Sequence, residues 1–284
     1  MNREHSKASG TQSIQRAFCV LRAIAASNRT GARLVDLATS LGLEQPTVHR
    51  ILKSLVADHL VLQEPGSRRY FLGRALYELG LAAAHRFSLR DLCQASLNRI
   101  AEQTGDTVFL TGRNGNDAVC LDRKDGEFPI KIYSFTPGER RPLGVGAGGR
   151  AILSALPDSD AGHIADLNSP RLPSYDGLTV KRLTSLVRAD RKLGYTLHDV
   201  PGASGVKAVG MAIRDQSGEP VAALSVSGIA SRISGERMPQ LVTLLRRETG
   251  NIERLLAAQS GAPAPVDAAH DRRRAPPAVR PNSG

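Results

Sequence analysis

Apolar residues in the first part of the chain recur at helical spacing, in three runs separated by short polar breaks. The first run starts after Ser13, a good N-cap, and predicts one helix. The second lies over residues 34–41 and stops at Gly42, which suits a tight turn between helices. The third begins near Gln45 and carries the apolar stripe Val48, Ile51, Leu52, Leu55 and Val56. Residues 1–12 lack such a pattern and are predicted to be a disordered lead.

The periodicity changes after His59 from helical spacing to that of short strands. Residues 60–64 and 68–72 are strand-like and flank a Pro-Gly-Ser turn, which is typical of a hairpin. Three short helices followed by a hairpin predict a winged helix-turn-helix over residues 13–73.

The rest of the chain predicts a connector helix over residues 74–87 and an α+β domain over residues 88–258. A helix begins this domain. Three more are expected: one that follows the Gly-rich turn and ends near Leu156, one over 179–193 and one over 236–258. Predicted strands lie at 107–113, 117–124, 129–134, 195–199, 206–214 and 220–227. Residues 259–284 hold several prolines and no Leu, Ile or aromatic residue, so they are predicted to be a disordered tail.

The distribution of charge along the chain indicates a class of binding partner. The 284-residue chain has a net charge of +11, and residues 1–74 alone hold 11 Lys or Arg against 5 Asp or Glu. A basic N-terminal module favours nucleic acid as partner. No run is long and apolar enough for a membrane span, and three scattered cysteines without a CxxC pair indicate a reducing compartment. A cytoplasmic protein without a membrane partner is expected.

The third helix has the composition of a DNA-recognition helix. Opposite its apolar stripe it presents polar and basic residues, of which Arg50 suits guanine and Gln45 suits adenine. Phosphate or mixed contacts are expected from the others on this face, and backbone or minor-groove contacts from the arginines beside the hairpin turn. The predicted DNA-binding residues are Gln45, Thr47, Arg50, Lys53, Ser54, Arg68 and Arg69.

Two features of the second domain point to a small ligand. Gly144, Gly146 and Gly149 satisfy GxGxxG, but no buried strand precedes them, so a dinucleotide site is not predicted. Glycines at a helix start do leave backbone N–H groups open to a small anion. Strand alternation also places Ser225 and Ser227 on one face, ready to bind a carboxylate or hydroxyl.

Catalysis and metal binding find little support. His198, Asp199 and Ser204 are residue types of a hydrolase, but no GxSxG elbow surrounds any serine. His163, His198 and Cys120 lack close metal-ligand spacing. The sequence predicts no catalytic residue, metal or cofactor.

The chain resembles the isocitrate-lyase-regulator (IclR) family of bacterial transcription factors over about residues 13–258. The resemblance is carried by TVHRILKSL, by the wing ending in YFLG, and by three later blocks: RPLGVGAGGRAIL, LGYTLHDVPGASGVKAVGMAI and GEPVAALSVSGIASRI. It implies a GAF-like α+β effector-binding domain behind the winged helix. It also implies ligand contacts from Ala147, Gly148, Ser225 and Ser227.

The resemblance breaks at three positions of the implied pocket. Relatives often have an acidic residue near His198, a cysteine at Ala208 and a histidine at Gly144. His198 and Ala208 are therefore included as effector-site candidates in a roomier, less polar pocket. A larger organic or aromatic acid is as plausible there as a glyoxylate-like one.

The predicted function is that of a DNA-binding transcriptional regulator whose second domain binds a small organic acid and so modulates operator binding. A homodimer or tetramer on a pseudo-palindromic site is expected, because one winged helix offers little contact area. Two alternatives remain: an architectural DNA-binding protein whose second domain only oligomerises, and a sensor domain that binds a partner protein.

Overall fold

The N-terminal module is a three-helix unit with a β-wing, as expected. The computed structural model describes residues 4–84, 89–200 and 205–260. The module comprises helices α1 (Glu4–Ala26), α2 (Leu34–Leu41) and α3 (Gln45–Ala57), and strands β1 (Val61–Gln63) and β2 (Tyr70–Leu72). Its core brings together Val20, Ile24, Leu37, Val48, Leu52, Leu55, Val61 and Tyr70.

Helix α1 starts earlier than the sequence suggested. It begins at Glu4 instead of Ser13, so the prediction of a disordered lead is wrong from Glu4 onward. The segment 4–12 contains no proline and only one glycine, so nothing in it stops the helix from extending towards the N-terminus.

The turn between α2 and α3 depends on Gly42, as predicted. This residue has φ +61° in the left-handed region, and its N–H donates to carbonyls of the last turn of α2. The wing is an antiparallel pair with Leu62 opposite Phe71, and Ala32 bridges to Tyr70. Recognition helix and wing are thus fixed against one small core.

The second domain is built on one antiparallel six-stranded sheet. Helices α4 (Arg74–Ala84) and α5 (Leu89–Thr104) lead into it. The strands are β3 (Thr107–Asn114), β4 (Asp117–Lys124), β5 (Arg140–Pro142), β6 (Thr196–Asp199), β7 (Val206–Arg214) and β8 (Pro220–Ile229). Their order is β5-β4-β3-β8-β7-β6, so β5 and β6 form the edges.

Helices cover both faces of this sheet. Helix α5 and the last helix, α9 (Arg237–Ser260), pack on the face that carries Leu224 and Val226. The opposite face, which carries Ala223, is partly covered by α6 (Gly146–Ala155), α7 (Asp158–Leu167) and α8 (Val180–Leu193). Ser225 and Ser227 lie on this second face, beyond the cover of these helices.

Two local predictions differ from the structure. Residues 129–134 form no strand; they are held as an irregular segment, in which the Ile132 N–H donates to Thr107 Oγ1 at 3.1 Å and Lys131 Nζ to the Gly126 carbonyl. The edge position is taken by β5 instead. Helix α7 was not predicted, and the predicted tail beyond Ser260 lies outside the described residues.

No helix in the described ranges is long and apolar enough to cross a lipid bilayer.

Candidate functional site

The outer face of α3 presents the predicted DNA-binding side chains to solvent. Gln45, Arg50, Lys53 and Ser54 are exposed and Thr47 is half-buried. Within the described residues, neither Arg50 nor Lys53 forms an ion pair, so both cations are available to a polyanion. On the opposite face of α3, Val48, Leu52 and Leu55 are buried and pack in the core of the N-terminal module.

The two wing arginines occupy different environments. Arg68 is exposed at the tip of the hairpin, in the left-handed region at φ +54°. Arg69 is half-buried, and its Nη1 donates to the Gly31 carbonyl at 2.8 Å. The structure therefore leaves Arg68 free to reach a phosphate, whereas Arg69 fastens the wing to the loop before α2.

Two further residues on this side of the module were missed from sequence. His49 is exposed on α3, one helical turn from both Gln45 and Lys53. Arg33 is exposed at the N-terminal boundary of α2. The helical spacing of 45, 49 and 53 was the signal that could have included His49.

A cavity of about 700 Å³ lies on the second face of the large sheet, beside the first turn of α6. All six predicted effector residues line it: Ala147, Gly148, His198, Ala208, Ser225 and Ser227. They come from α6 and from the consecutive strands β6, β7 and β8. Strand alternation predicted the serine pair, and the family resemblance implied the other four.

Strand register sets four of these residues in two rows on the cavity floor. Ser227 lies opposite Ala208, and Ala208 lies opposite His198, so these three form one row across β8, β7 and β6. Ser225 belongs to the neighbouring row, between Phe109 and Gly210. Residues directly opposite in a sheet share a face, so the row side chains point into the same space.

The first turn of α6 touches the sheet at two glycines. A Cβ on Gly148 would lie 2.3 Å from Thr111 Oγ1, and a Cβ on Gly210 would lie 2.8 Å from the Ala147 carbonyl oxygen. This contact sets the start of α6 beside Ser225. The N-cap residue, Val145, makes no side-chain hydrogen bond to the first turn, so the N–H groups of that turn can donate to a ligand at the cavity wall.

Three residues on the cavity floor carry hydroxyls without a hydrogen-bond partner among the described residues. Ser225, Ser227 and Thr111 are 4%, 3% and 1% exposed, and within the described residues none of their hydroxyls makes a hydrogen bond. Their side chains are covered by protein except where they line the cavity. Hydroxyls that open only to a cavity can bind a polar ligand placed there.

His198 stands at the far end of the floor and is neutral near pH 7. Burial and the positive charge of Arg150 lower its pKa to about 4, against the opposing effect of Asp199. Arg150 is itself buried and paired with Asp190 at 2.7 Å, and it donates to the Leu197 carbonyl next to His198. The imidazole therefore offers one N–H donor and one nitrogen acceptor.

The remaining wall was not identified from sequence. It supplies rings from Phe109, Tyr133, Phe135 and Tyr175, and the cations Lys131 and Arg141. Arg141 Nε donates to Glu139 Oε1 at 2.8 Å, and its guanidinium lies over the Phe135 ring. Lys131 and Tyr133 belong to the irregular segment that was predicted as a strand, and Phe135 follows it directly, so the wrong prediction hid the position of these three residues.

A winged helix-turn-helix joined to an α+β domain defines the class of two-domain DNA-binding transcriptional regulators. Residues 13–65 match the family described as "IclR helix-turn-helix domain", and residues 81–254 match "Bacterial transcriptional regulator IclR C-terminal". The chain belongs to the IclR family and is a DNA-binding transcriptional regulator. The proteins it resembles are regulators rather than enzymes.

Similar proteins span both domains. The HTH-type transcriptional repressor AllR of Salmonella paratyphi A is 27% identical over 248 residues, which cover 87% of this chain and 90% of AllR. The Thermotoga maritima IclR structure is 25% identical with a TM-score of 0.61, over 87% of this chain and 99% of that one. An IclR homologue from Microbacterium hydrocarbonoxydans, solved with 4-hydroxybenzoate, is 20% identical with a TM-score of 0.68 over the same shares.

Proposed function

We propose that this regulator binds a small organic acid in the cavity of its second domain, and that binding changes its affinity for an operator. The observation that carries the proposal is that the hydroxyls of Thr111, Ser225 and Ser227, which have no partner among the described residues, line the cavity beside the first turn of α6. These groups donate hydrogen bonds, which a carboxylate accepts. The Microbacterium homologue, which was solved with an aromatic acid, shares this fold.

The acid would shift affinity for DNA by binding one arrangement of the protein better than another. A ligand changes an equilibrium only through its different affinities for the two states. The edge strand β6 connects the cavity to α8 and α6 through the buried Arg150–Asp190 pair. Movement of this strand is the route we propose for the signal.

For DNA contact we propose that Arg50 and Gln45 read base edges, and that Thr47, Lys53, Ser54 and Arg68 contact the backbone. Their exposure on one face of α3 and on the wing tip supports these roles. Arg69 was predicted to contact DNA, but its bond to the Gly31 carbonyl favours a role in fixing the wing. Arg50→Ala tests the assignment: specific affinity should fall by roughly tenfold or more, and unchanged specific binding would refute it.

We also propose a homodimer or dimer of dimers, assembled in part through α1 and α4. These helices expose Ile14, Phe18, Tyr77, Leu79 and Leu81, each more than half accessible. A second copy would cover these side chains and bring two recognition helices to a pseudo-palindromic site.

A thermal-shift screen with aliphatic and aromatic carboxylic acids, followed by operator binding with each hit, tests the proposed function. A ligand bound to the folded state raises its melting temperature by mass action. The double substitution Ser225→Ala with Ser227→Ala should reduce the shift and the operator response while operator affinity without ligand is kept. No shift with any acid would favour a domain that only oligomerises or binds a partner protein.

A further inference from the structure

Resting on the proposed function, we propose that the effector is an aromatic acid with a second hydrogen-bonding group on the ring side opposite its carboxylate, and that His198 recognises this second group. His198 would be the specificity-determining residue.

The floor separates two polar ends by one small residue. Ser227, Ala208 and His198 stand side by side on adjacent strands. Adjacent strands are about 4.8 Å apart, so the backbones of Ser227 and His198 are about 10 Å apart. Ala208 contributes only a methyl group between them. A flat group about as long as one six-membered ring can therefore lie over Ala208 and reach both ends.

The two ends differ in what they bind. At one end, Ser225, Ser227 and the first turn of α6 offer several donors at once, which suits a carboxylate. At the other end, His198 has no hydrogen-bond partner within the described residues, and it both donates and accepts. A hydroxyl or carbonyl group satisfies such an imidazole, because it can accept a hydrogen bond from the ring N–H or, as a hydroxyl, donate one to the other ring nitrogen.

The walls favour a ring between these ends. Phe109 is 3% exposed and belongs to the row next to Ala208, and Phe135 and Tyr175 line the same cavity. Aromatic side chains pack well against a flat ring. The volume of about 700 Å³ also far exceeds that of a two- or three-carbon acid, which would leave most of the aromatic wall without contact.

The test uses the full-length protein and four probes: benzoate and its 2-, 3- and 4-hydroxy derivatives, each titrated by thermal shift and calorimetry. We expect the 3- or 4-hydroxy acid to bind roughly tenfold more tightly than benzoate, because one additional buried hydrogen bond is made. His198→Leu should abolish this advantage and keep benzoate binding. The same change at His163, exposed on α7, should alter nothing.

Two further variants separate recognition from misfolding. His198→Gln retains a donor and an acceptor and should restore part of the preference for the hydroxy acid. Ala208→Leu fills the floor and should weaken all four ring acids at least tenfold. Operator binding without ligand, measured for every variant, shows whether the protein is folded.

The outcomes distinguish this inference from the proposed function. Equal binding of benzoate and its hydroxy derivatives by the wild-type protein would overturn the role of His198 and leave the acid sensor intact. Binding of aliphatic acids alone would do the same. If neither aliphatic nor aromatic acids bind, both proposals fail.

Discussion

At the scale of single residues, His198 shows how local environment changes the chemistry of a familiar side chain. Burial and the guanidinium of Arg150 hold its pKa at about 4, Asp199 opposes them, and Arg141 lowers the pKa further. The residue could be selected from sequence as a cavity candidate because of its place in a recognisable block. Its charge state could not, because Arg150 and Arg141 approach it from distant parts of the chain.

The lowered pKa makes the stability of the protein depend on pH. Between about pH 6.5 and 4 the unfolded chain binds a proton at His198 that the folded protein does not, so the free energy of unfolding falls as pH decreases, by about 1.4 kcal/mol per pH unit. His198→Gln should lose this part of the dependence. Melting curves from pH 7.5 to 5 measure it, and parallel curves for both proteins would contradict the assignment.

The neighbouring wing arginines provide a matched pair of substitutions. Arg68→Ala should weaken binding to all DNA sequences and reduce the salt dependence by about one unit of slope, with little change in melting temperature. Arg69→Ala should instead lower the melting temperature of the DNA-binding module, because its hydrogen bond to the Gly31 carbonyl is lost. Salt titrations of DNA binding and calorimetric unfolding of both variants check this, and the reverse pattern would refute it.

At the scale of secondary-structure elements, periodicity predicted most of the fold and failed where side chains from elsewhere decide the local structure. The stripe of α3 and the alternation of β8 are visible in sequence, so recognition face and cavity floor could be predicted. Residues 129–134 alternate like a strand, yet contacts such as that of Ile132 with Thr107 hold them as cavity wall. Such contacts between distant residues leave no local pattern.

The close contact of α6 with the sheet at Gly148 predicts that a larger residue there will destabilise the protein. Gly148→Ala would force a Cβ to within 2.3 Å of Thr111 Oγ1, so we expect a loss of about 1–3 kcal/mol in the free energy of unfolding and weaker acid binding. Gly162→Ala, in α7 with open space around it, should stabilise by about 0.5–1 kcal/mol. Denaturant unfolding of both variants measures this, and equal effects would show that α6 is free to shift.

At the scale of the whole molecule, the order of the modules was predictable from sequence, but the surfaces left uncovered were not. Tyr77 and Leu81 give one face of α4 an apolar surface that no described residue covers, and Leu79 is exposed on the opposite face. Sequence alone assigned such residues to a connector without showing which of them face solvent. Their exposure is the observation that supports the proposed assembly through α1 and α4.

Charge placed on this apolar surface should separate the protomers of the proposed dimer. Tyr77→Glu combined with Leu81→Glu should lower the molecular mass measured by light scattering, and reduce affinity for a full operator at least tenfold while a half-site is bound as before. The operator can be obtained by selection from randomised DNA. Leu167→Glu, an equally exposed position at the end of α7, serves as the control. An unchanged mass and affinity would exclude assembly through these residues.

The row formed by Ser227, Ala208 and His198 has a consequence for how such regulators diversify. None of the three belongs to a hydrophobic core cluster of the described residues, and all point into the cavity. Under the proposed function, their replacement would change the recognised molecule while the two core clusters of the domain stay intact. A lineage could then acquire a new effector in few mutational steps, and a biosensor library confined to these three codons would sample the same path.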